Sequence, residues 1–394
     1  MKFAIITHIL HKEHNKSYYS YEPYIREMNI WLKATEEIIV VAPKISARPN
    51  AIESPYLNND ISFRKIPAIS FLNFSEIIRS LIMLPGICFK ILRAIKEADH
   101  IHLRCPGNIG LIACFLQIFF PKKPKTVKYA GNWDPNSEQP WSYRLQKRIL
   151  SNTFLSRNIK VLVYGEWPEQ SKNIVPFFTA SFSENEKIKT EKEFSSPYKF
   201  IFVGSLSAGK KPLFAIKLIE SLMGKGIPVK LEIYGSGVLK NELQEYIATK
   251  NLDPFVRLMG NCKLEELKEV YKASHFLILA SQSEGWPKAV AEAMFFGCIP
   301  VATAVSCVPW MLGAPPAPEG GAIEINFAKR GLLVPPAPEG GANENEWIEN
   351  LVNRIVELIK DTGEMKRKSL AAQEWSQEYT LEKFELAIKD ELKG

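Results

Sequence analysis

Two carboxylates, Glu284 and Glu292, are separated by seven residues in the stretch SQSEGWPKAVAEAMFFGCIPVAT, residues 281–303. Pro287 suits the first position of a helix, where a missing N–H costs nothing. Ala289, Val290, Ala293 and Met294 give a helix over 288–296 one apolar side, Gly297 ends it, and IPVAT follows as a short buried strand. One acid therefore precedes a helix and the other lies within it. The N–H groups of the first turn, near Lys288 to Val290, can receive phosphate oxygens. A carboxylate on each side can accept hydrogen bonds from hydroxyls, and a phosphate flanked by polyols is the chemistry of a nucleotide-sugar. The spacing also allows a plainer reading. Glu292 could be a solvated helix residue paired with Lys288 one turn away, an interaction worth only about 0.2–0.5 kcal/mol.

A second cluster follows the strand expected at 199–203. The turn GSLSAGKKP, residues 204–212, nearly fits the phosphate-binding G-x4-G-K-[ST] loop. Lys211 stands where the magnesium-holding hydroxyl belongs, and Pro212 comes next, so nucleotide hydrolysis is poorly served. Gly235-Ser-Gly237 closes a strand at 229–234, where backbone approach requires glycine. Gly260-Asn261-Cys262 closes another at 256–259.

Taken together, these segments resemble the retaining group 1 glycosyltransferases of the GT-B fold. The E-x7-E signature of that family is matched by Glu284 and Glu292, followed by the small-residue helix, the glycine and the Pro-Val strand. Its V-G-R-L-x3-K-G motif is matched by the turn after Val203, with Lys210 as the lysine and Ser205 in place of the arginine. Its G-x-G-P turn is matched at Gly235, and its G-L-L-V-P-P strand end at 331–336. The resemblance covers 198–312 most fully and the N-terminal half by pattern only.

It implies an α/β protein of two Rossmann-like domains with parallel sheets facing a cleft, and a C-terminal helix crossing back. Glu284 would hold the sugar hydroxyls of the donor and Glu292 the ribose. Lys210 would contact the diphosphate, with Lys211 or another cation replacing the missing arginine. Gly204, Ser205, Gly235, Asn261, Gly285, Trp286, Lys288 and Ala289 complete the implied donor site. The family often carries a His after the strand at 126–129; here Ala130-Gly131-Asn132 takes its place.

The elements that must position these groups follow from the pattern of the chain. With 394 residues, 46% of them hydrophobic, there is material for two or three domains. Strands at 2–7 and 38–42 flank a helix at 21–33, a strand–helix–strand unit that implies a parallel sheet. Further strands are expected at 61–66, 100–103, 126–129 and 160–164, the last being the final strand of this half. Ligands lie at the carboxyl ends of such strands, which makes His8, His11, Arg104, Asn132 and Asp134 candidate acceptor contacts. The segment 8–21 reads as a loop, and its His spacing lacks any conventional metal-ligand pattern.

The polar segment 181–197 reads as a linker. It places an acceptor domain at 1–185, a nucleotide-sugar domain at 198–373 and the returning helix at 374–394. His275 falls in the strand that feeds the E-x7-E segment and reads as structural.

The segment 74–97 is long, apolar and helical, carries Arg79, Lys90, Arg93 and Lys96, and is interrupted by Pro85-Gly86. It reads as two helices or one kinked helix. Its mixed faces fit an interfacial membrane helix or a helix packed on the sheet, the second being favoured. The same choice applies to 111–120 with the basic tail that follows it. Charge is uneven: +9 over 1–197 and −2 over 198–394. A basic half favours anionic surfaces or substrates.

The six cysteines show no C-x-x-C pairing and lie largely in apolar runs, as reduced core thiols would. No signal peptide and no uninterrupted apolar stretch of membrane-spanning length is visible. The octapeptide PPAPEGGA occurs at 315–322 and again at 335–342. It reads as loop in both places and as the product of local duplication or engineering.

The expectation is a retaining transferase moving a hexosyl-type sugar from a nucleotide-diphosphate sugar to a glycan or lipid-linked hydroxyl, in surface polysaccharide or glycolipid assembly. It would be cytoplasmic, with peripheral contact at the inner face of a membrane, and would bind no nucleic acid. No Asp-x-Asp occurs, so no metal and no cofactor beyond the donor are expected, and protein cations must balance the diphosphate. A sugar-nucleotide epimerase and a non-catalytic nucleotide-sugar binder are the alternatives.

Overall fold

The computed structural model describes the chain except residues 51, 59, 71–72, 190, 315–324, 337–343 and 394. Both copies of PPAPEGGA lie outside the described residues, apart from Pro335 and Pro336. The chain forms two compact units, Met1–Thr179 with Lys383–Gly394, and Ala180–Glu382.

The first unit is built on a largely parallel sheet. Its spine, from one edge inward, is Ile174–Phe177, Ile159–Tyr164, Lys125–Tyr129, His100–Cys105, Lys2–Ile6 and Glu37–Ser46, and Ile61–Ile66 pairs beyond Glu37–Ser46. Phe3 to Ile6 are fully buried, as befits a central parallel strand covered on both faces. From Lys2–Ile6 the chain first builds outward in one direction, then returns to build in the other. The order therefore reverses between Lys2–Ile6 and His100–Cys105. Crevices form at the carboxyl ends of strands flanking such a reversal.

The second unit repeats this plan. Its order is Val256–Gly260, Val229–Tyr234, Tyr198–Val203, Phe276–Leu279, Ile299–Thr303, Gly331–Val334 and Asn326–Ala328. Every pairing is parallel except the last. The reversal falls between Tyr198–Val203 and Phe276–Leu279. The two segments with the strongest chemical pattern are the ones that leave these two strands.

Several elements depart from the sequence reading. The segment 8–21 is not a plain loop: His11–His14 and Ser17–Tyr21 form a hairpin. Its two-residue turn places Asn15 and Lys16 at φ 49° and 61°. Both central residues are left-handed, as a hairpin turn of this length demands, but the second is lysine where glycine gives the usual signal. Ile159–Tyr164 is not the final strand, because Ile174–Phe177 pairs outside it. A helix at Trp141–Ser151 was not anticipated. Phe74–Glu97 is one continuous helix with Pro85 inside it, and the Asn73 side chain caps its start by accepting from Glu76 N at 2.9 Å.

The segment 181–197 is packed rather than loose. Phe182 sits 4.9 and 5.0 Å from the rings of Phe295 and Phe296. Lys192 is buried and donates to the carbonyls of Tyr271 and Lys272 at 2.8 Å and of Ser274 at 2.5 Å. A single ammonium thus satisfies the open end of the helix Leu264–Ala273. The last helix, Leu381–Lys393, is anchored on the first unit through Phe384, 5.6 Å from Phe177, and through Glu391 to Lys160 at 3.1 Å.

Candidate functional site

At the second unit's reversal, Tyr198–Val203 runs into the turn 204–211 and Phe276–Leu279 into the loop 280–287. Three hydrogen bonds lace the glycine turns together: Gly204 N to Tyr234 O (2.9 Å), Leu206 N to Ser236 O (3.0 Å) and Gly235 N to Gly260 O (2.8 Å). Gly235 has φ 146°, and a Cβ on it would lie 1.8 Å from the Gly204 carbonyl oxygen. No side chain fits there, which explains the residue type. Gln282 N donates to Gly209 O at 2.9 Å and ties the second loop to the first turn. Ser306 and Cys307 donate to Gly285 O at 3.0 and 3.2 Å, fixing that loop from behind.

The result is an ion pair between Lys210 Nζ and Glu284 Oε1 across the switch point. The Glu284 side chain is 9% exposed and that of Lys210 30%. Lys211 is left-handed, at φ 48°, and caps the helix Pro212–Gly224. Ser205 is exposed, with its hydroxyl 3.2 Å from that of Ser207. Asn261 is exposed just past Gly260.

The helix expected after Glu284 spans Lys288–Phe295, with Pro287 as the capping residue before it rather than its first turn. Val290 N is bonded to Pro287 O at 3.0 Å, so that N–H is spent; Lys288 and Ala289, at the helix start, are both partly exposed. Trp286 is buried among Trp310, Trp375 and Tyr379, with ring centroids 5.6–6.2 Å away. It fixes the loop as a wall.

Glu292 is not a solvated helix residue. It is 8% exposed, and its carboxylate accepts from Ser181 Oγ at 2.5 Å and Tyr271 OH at 3.1 Å. Burial first, and then the neighbouring carboxylate, hold the Tyr271 phenol proton well above its ordinary range, so Tyr271 stays a donor. Sequence reasoning missed both partners. Ser181 lay in the presumed linker, and nothing in the sequence singled out Tyr271, which lies in the helix Leu264–Ala273. Two donors leave a carboxylate with further acceptor capacity.

The first unit's reversal is arranged differently. His8 follows Lys2–Ile6 and is exposed, yet it sits tightly on Gly107, where a Cβ would come 2.6 Å from the ring Nδ1. Loss of hydration, with Arg104 nearby, lowers its proton affinity. His11 does not face a ligand. It is fully buried, with Nδ1 2.8 Å from Ile9 O and Nε2 3.1 Å from the Tyr56 hydroxyl, and desolvation lowers its pKa to about 4.

Arg104 likewise turns inward. Its side chain is 11% exposed, pairs with the buried Glu27 at 3.0 Å and lies 5.5 Å from the Tyr24 ring. Asn132 and Asp134 spend side-chain oxygens on their own loop, accepting at 2.9 Å from Asp134 N and Asn136 N. Of the five acceptor candidates, His8 keeps the most open face. Among the described residues no three His, Cys, Asp or Glu side chains converge to hold a metal ion.

Two reversals of parallel strand order, one per unit, define a pair of Rossmann-like units of the GT-B class. Over its whole length the chain resembles the crystal structure of Anabaena Alr3699/HepE in complex with UDP and glucose, with a TM-score of 0.67, 13% identity and 100% of both chains covered. It also resembles sucrose-phosphate synthase from Thermosynechococcus elongatus, with a TM-score of 0.64, 16% identity and coverage of 100% and 98%. At these identities the likeness is one of fold.

In sequence, residues 183–314 match the family model for glycosyl transferases group 1. An uncharacterized glycosyltransferase, MJ1059 of Methanocaldococcus jannaschii, is 29% identical over 184 residues, 45% of each chain. The UDP-N-acetylglucosamine–peptide N-acetylglucosaminyltransferase GtfA subunit of Limosilactobacillus reuteri is 37% identical over 67 residues, 17% of this chain and 12% of that one. The matches thus span less than half the length of these curated relatives.

Proposed function

We propose that the protein transfers a hexosyl-type sugar from a UDP-sugar to an acceptor hydroxyl, with retention of anomeric configuration and without a metal. The role would be in surface polysaccharide or glycolipid assembly. The observation that carries this reading is the Lys210–Glu284 pair at the second switch point, beside the start of Lys288–Phe295. Donor binding would let the diphosphate take the Lys210 ammonium while Glu284 turns its oxygens to sugar hydroxyls.

As the bond from the anomeric carbon to the diphosphate oxygen breaks, Lys210 and the positive helix end would stabilise the charge left behind. The acceptor oxygen bonds to the same face of that carbon, and its proton passes to the departing phosphate. UDP as the nucleotude part of the donor is supported by the UDP-bound HepE likeness and by the UDP-N-acetylglucosamine relative. Glycan or lipid-linked acceptors would meet the first unit near His8.

A thermal-shift series with UDP-, GDP-, CMP- and ADP-sugars tests the donor assignment. The UDP-sugar should raise the midpoint, and Glu292→Ala should abolish that rise. No shift with any UDP-sugar would overturn the assignment, and an inverted anomer in the product would overturn retention. The exposed Ser205 in place of the family arginine favours one rival, a non-catalytic nucleotide-sugar binder. That rival predicts the same shift with no turnover for any acceptor.

A further inference from the structure

The helix Phe74–Glu97 has two apolar faces, and the fold uses only one. Ile87, Ile91, Ala94 and Ile95 are buried against the sheet of the first unit. On the opposite side, at helical spacing, Phe74, Leu81, Ile82 and Phe89 are 78%, 57%, 76% and 66% exposed, with Ile78 and Pro85 between them. An amphipathic surface helix ordinarily turns polar residues to solvent. Here the solvent side is apolar through most of its length.

Its cations are placed to match. Arg79 flanks the apolar stripe and Lys96 lies toward the carboxyl end, while Lys90 donates to Lys65 O at 2.7 Å and Arg93 pairs with Glu97 at 2.8 Å. Lys123 donates to the carbonyls of Lys96 (2.8 Å) and Ala98, which seats the basic turn 121–125 at that same end. Phe119, four residues before Lys123, is 74% exposed. No helix among the described residues is long and apolar enough to cross a membrane. An apolar stripe flanked by Lys and Arg on a helix whose other face is buried lies in a bilayer surface rather than across it.

We propose that this face of the first unit docks on a lipid bilayer carrying anionic headgroups. The exposed apolar side chains would enter the headgroup–acyl boundary, and Arg79, Lys96 and Lys123 would meet the lipid phosphates. Charge complementarity selects this occupant over a second copy of the chain, because two such faces would bring like charges together. The assignment rests on this helix and the neighbouring turn 121–125 and stands apart from the transfer reading.

Flotation of the full chain with vesicles tests it. Phosphatidylcholine vesicles containing phosphatidylglycerol should carry the protein, and phosphatidylcholine alone should carry at least about tenfold less. Raising salt to about 0.5 M should weaken the anionic binding, since screening shortens the range of surface charge. Ile82→Asp with Phe89→Asp should reduce binding at least about tenfold at an unchanged melting midpoint. Arg79→Gln with Lys96→Gln should remove the preference for anionic vesicles.

Binding to neither vesicle, equal binding to both, or binding untouched by the two aspartates overturns the proposal. So does a wild-type dimer that ignores vesicles and that Ile82→Asp with Phe89→Asp splits into monomers. Should the variants not fold, the comparison of the two vesicle types with the natural sequence still decides.

Discussion

The two units share a plan and differ in how they spend their polar groups. Each reverses strand order once and so opens a crevice at the carboxyl ends of two strands. In the second unit the residues leaving those strands stay at the crevice: Lys210 and Glu284 face each other across it, and the turns at Gly204 and Gly235 pack directly on each other. In the first unit His8 keeps an open face, but Arg104 and His11 turn inward. Arg104 pairs with Glu27, and His11 lies in the core against Tyr56. Topology supplies the crevice, but the side chains after the strands decide whether charge is offered to a ligand or consumed by the fold.

The sharpest way to break this contrast is to remove one cation from each crevice. Lys210→Ala should lower kcat by about 10²–10³-fold, the typical loss when one stabilising group at a developing charge is removed, while the melting midpoint hardly moves. Arg104→Ala should do the reverse. It takes the Arg104 guanidinium from the buried Glu27 carboxylate, and breaking a buried pair from one side costs about 3–5 kcal/mol of stability. Denaturant unfolding and steady-state kinetics on the two variants check both. An Arg104→Ala protein of natural stability that had lost only acceptor affinity would place Arg104 at the ligand and erase the difference between the crevices.

Backbone geometry sharpens the second crevice further. Gly235→Ala must move its new Cβ away from the Gly204 carbonyl oxygen, 1.8 Å distant, at a φ of 146°. A loss of about 3 kcal/mol is expected, with donor binding weakened as the two turns part. Gly204→Ala, whose Cβ would meet only Phe202 ring atoms at 3.7 Å or beyond, should fold normally. Equal stability of the two alanine variants would show that the turns are not packed as described.

The second crevice was legible because its chemistry lies in local strings. Glu284 and Glu292 are seven residues apart, and Lys210 follows a glycine turn, so helix start, helix end and strand could each be read from neighbouring residues. The strand at 299–303 was placed to the residue. Contacts made over long sequence distances were not legible. Ser181 and Glu292 stand 111 positions apart with no local signal of their hydrogen bond, and nothing near Glu27, within the helix expected at 21–33, announced the Arg104 that the sheet brings to it. The hairpin at 11–21 hid behind Lys16, a residue seldom found left-handed. The helix Phe74–Glu97 packs on the sheet, as the sequence reading favoured, but apolar periodicity alone could not say which of its two apolar faces the sheet covers.

Acid should separate the units. His11 and His100 are buried, with pKa values lowered to about 4, and His102 is lowered well below its ordinary value, all chiefly by desolvation. These three lie in the first unit, against His275 in the second, lowered to about 4. A depressed histidine binds fewer protons folded than unfolded. Its contribution is therefore complete above the unfolded value near 6.5, falls as pH drops toward 4, and changes no further below that. At pH 5 each such histidine should cost about 2 kcal/mol. Limited proteolysis from pH 7 to 5 should open the first unit before the second, and simultaneous opening would contradict the uneven placement.

The smallest effect bears on the one buried acid that the second crevice retains. Tyr271→Phe removes a donor 3.1 Å from Glu292 while leaving the ring in place. One hydrogen bond to a charged group is worth about 1.5–3 kcal/mol at most, and the Ser181 hydroxyl, 2.5 Å from the other oxygen, still holds the carboxylate. A stability loss near the lower end, about 1.5 kcal/mol, is expected. If Glu292 grips the ribose, the same change should raise KM for the donor severalfold and leave kcat nearly unaltered, because a loosened carboxylate binds ground state and transition state alike less well. It should also narrow the preference for a ribonucleotide donor over its 2′-deoxy counterpart. A stability loss with KM and that preference both untouched would make Ser181, Tyr271 and Glu292 a purely internal clasp, and the second crevice would then spend its polar groups as the first does.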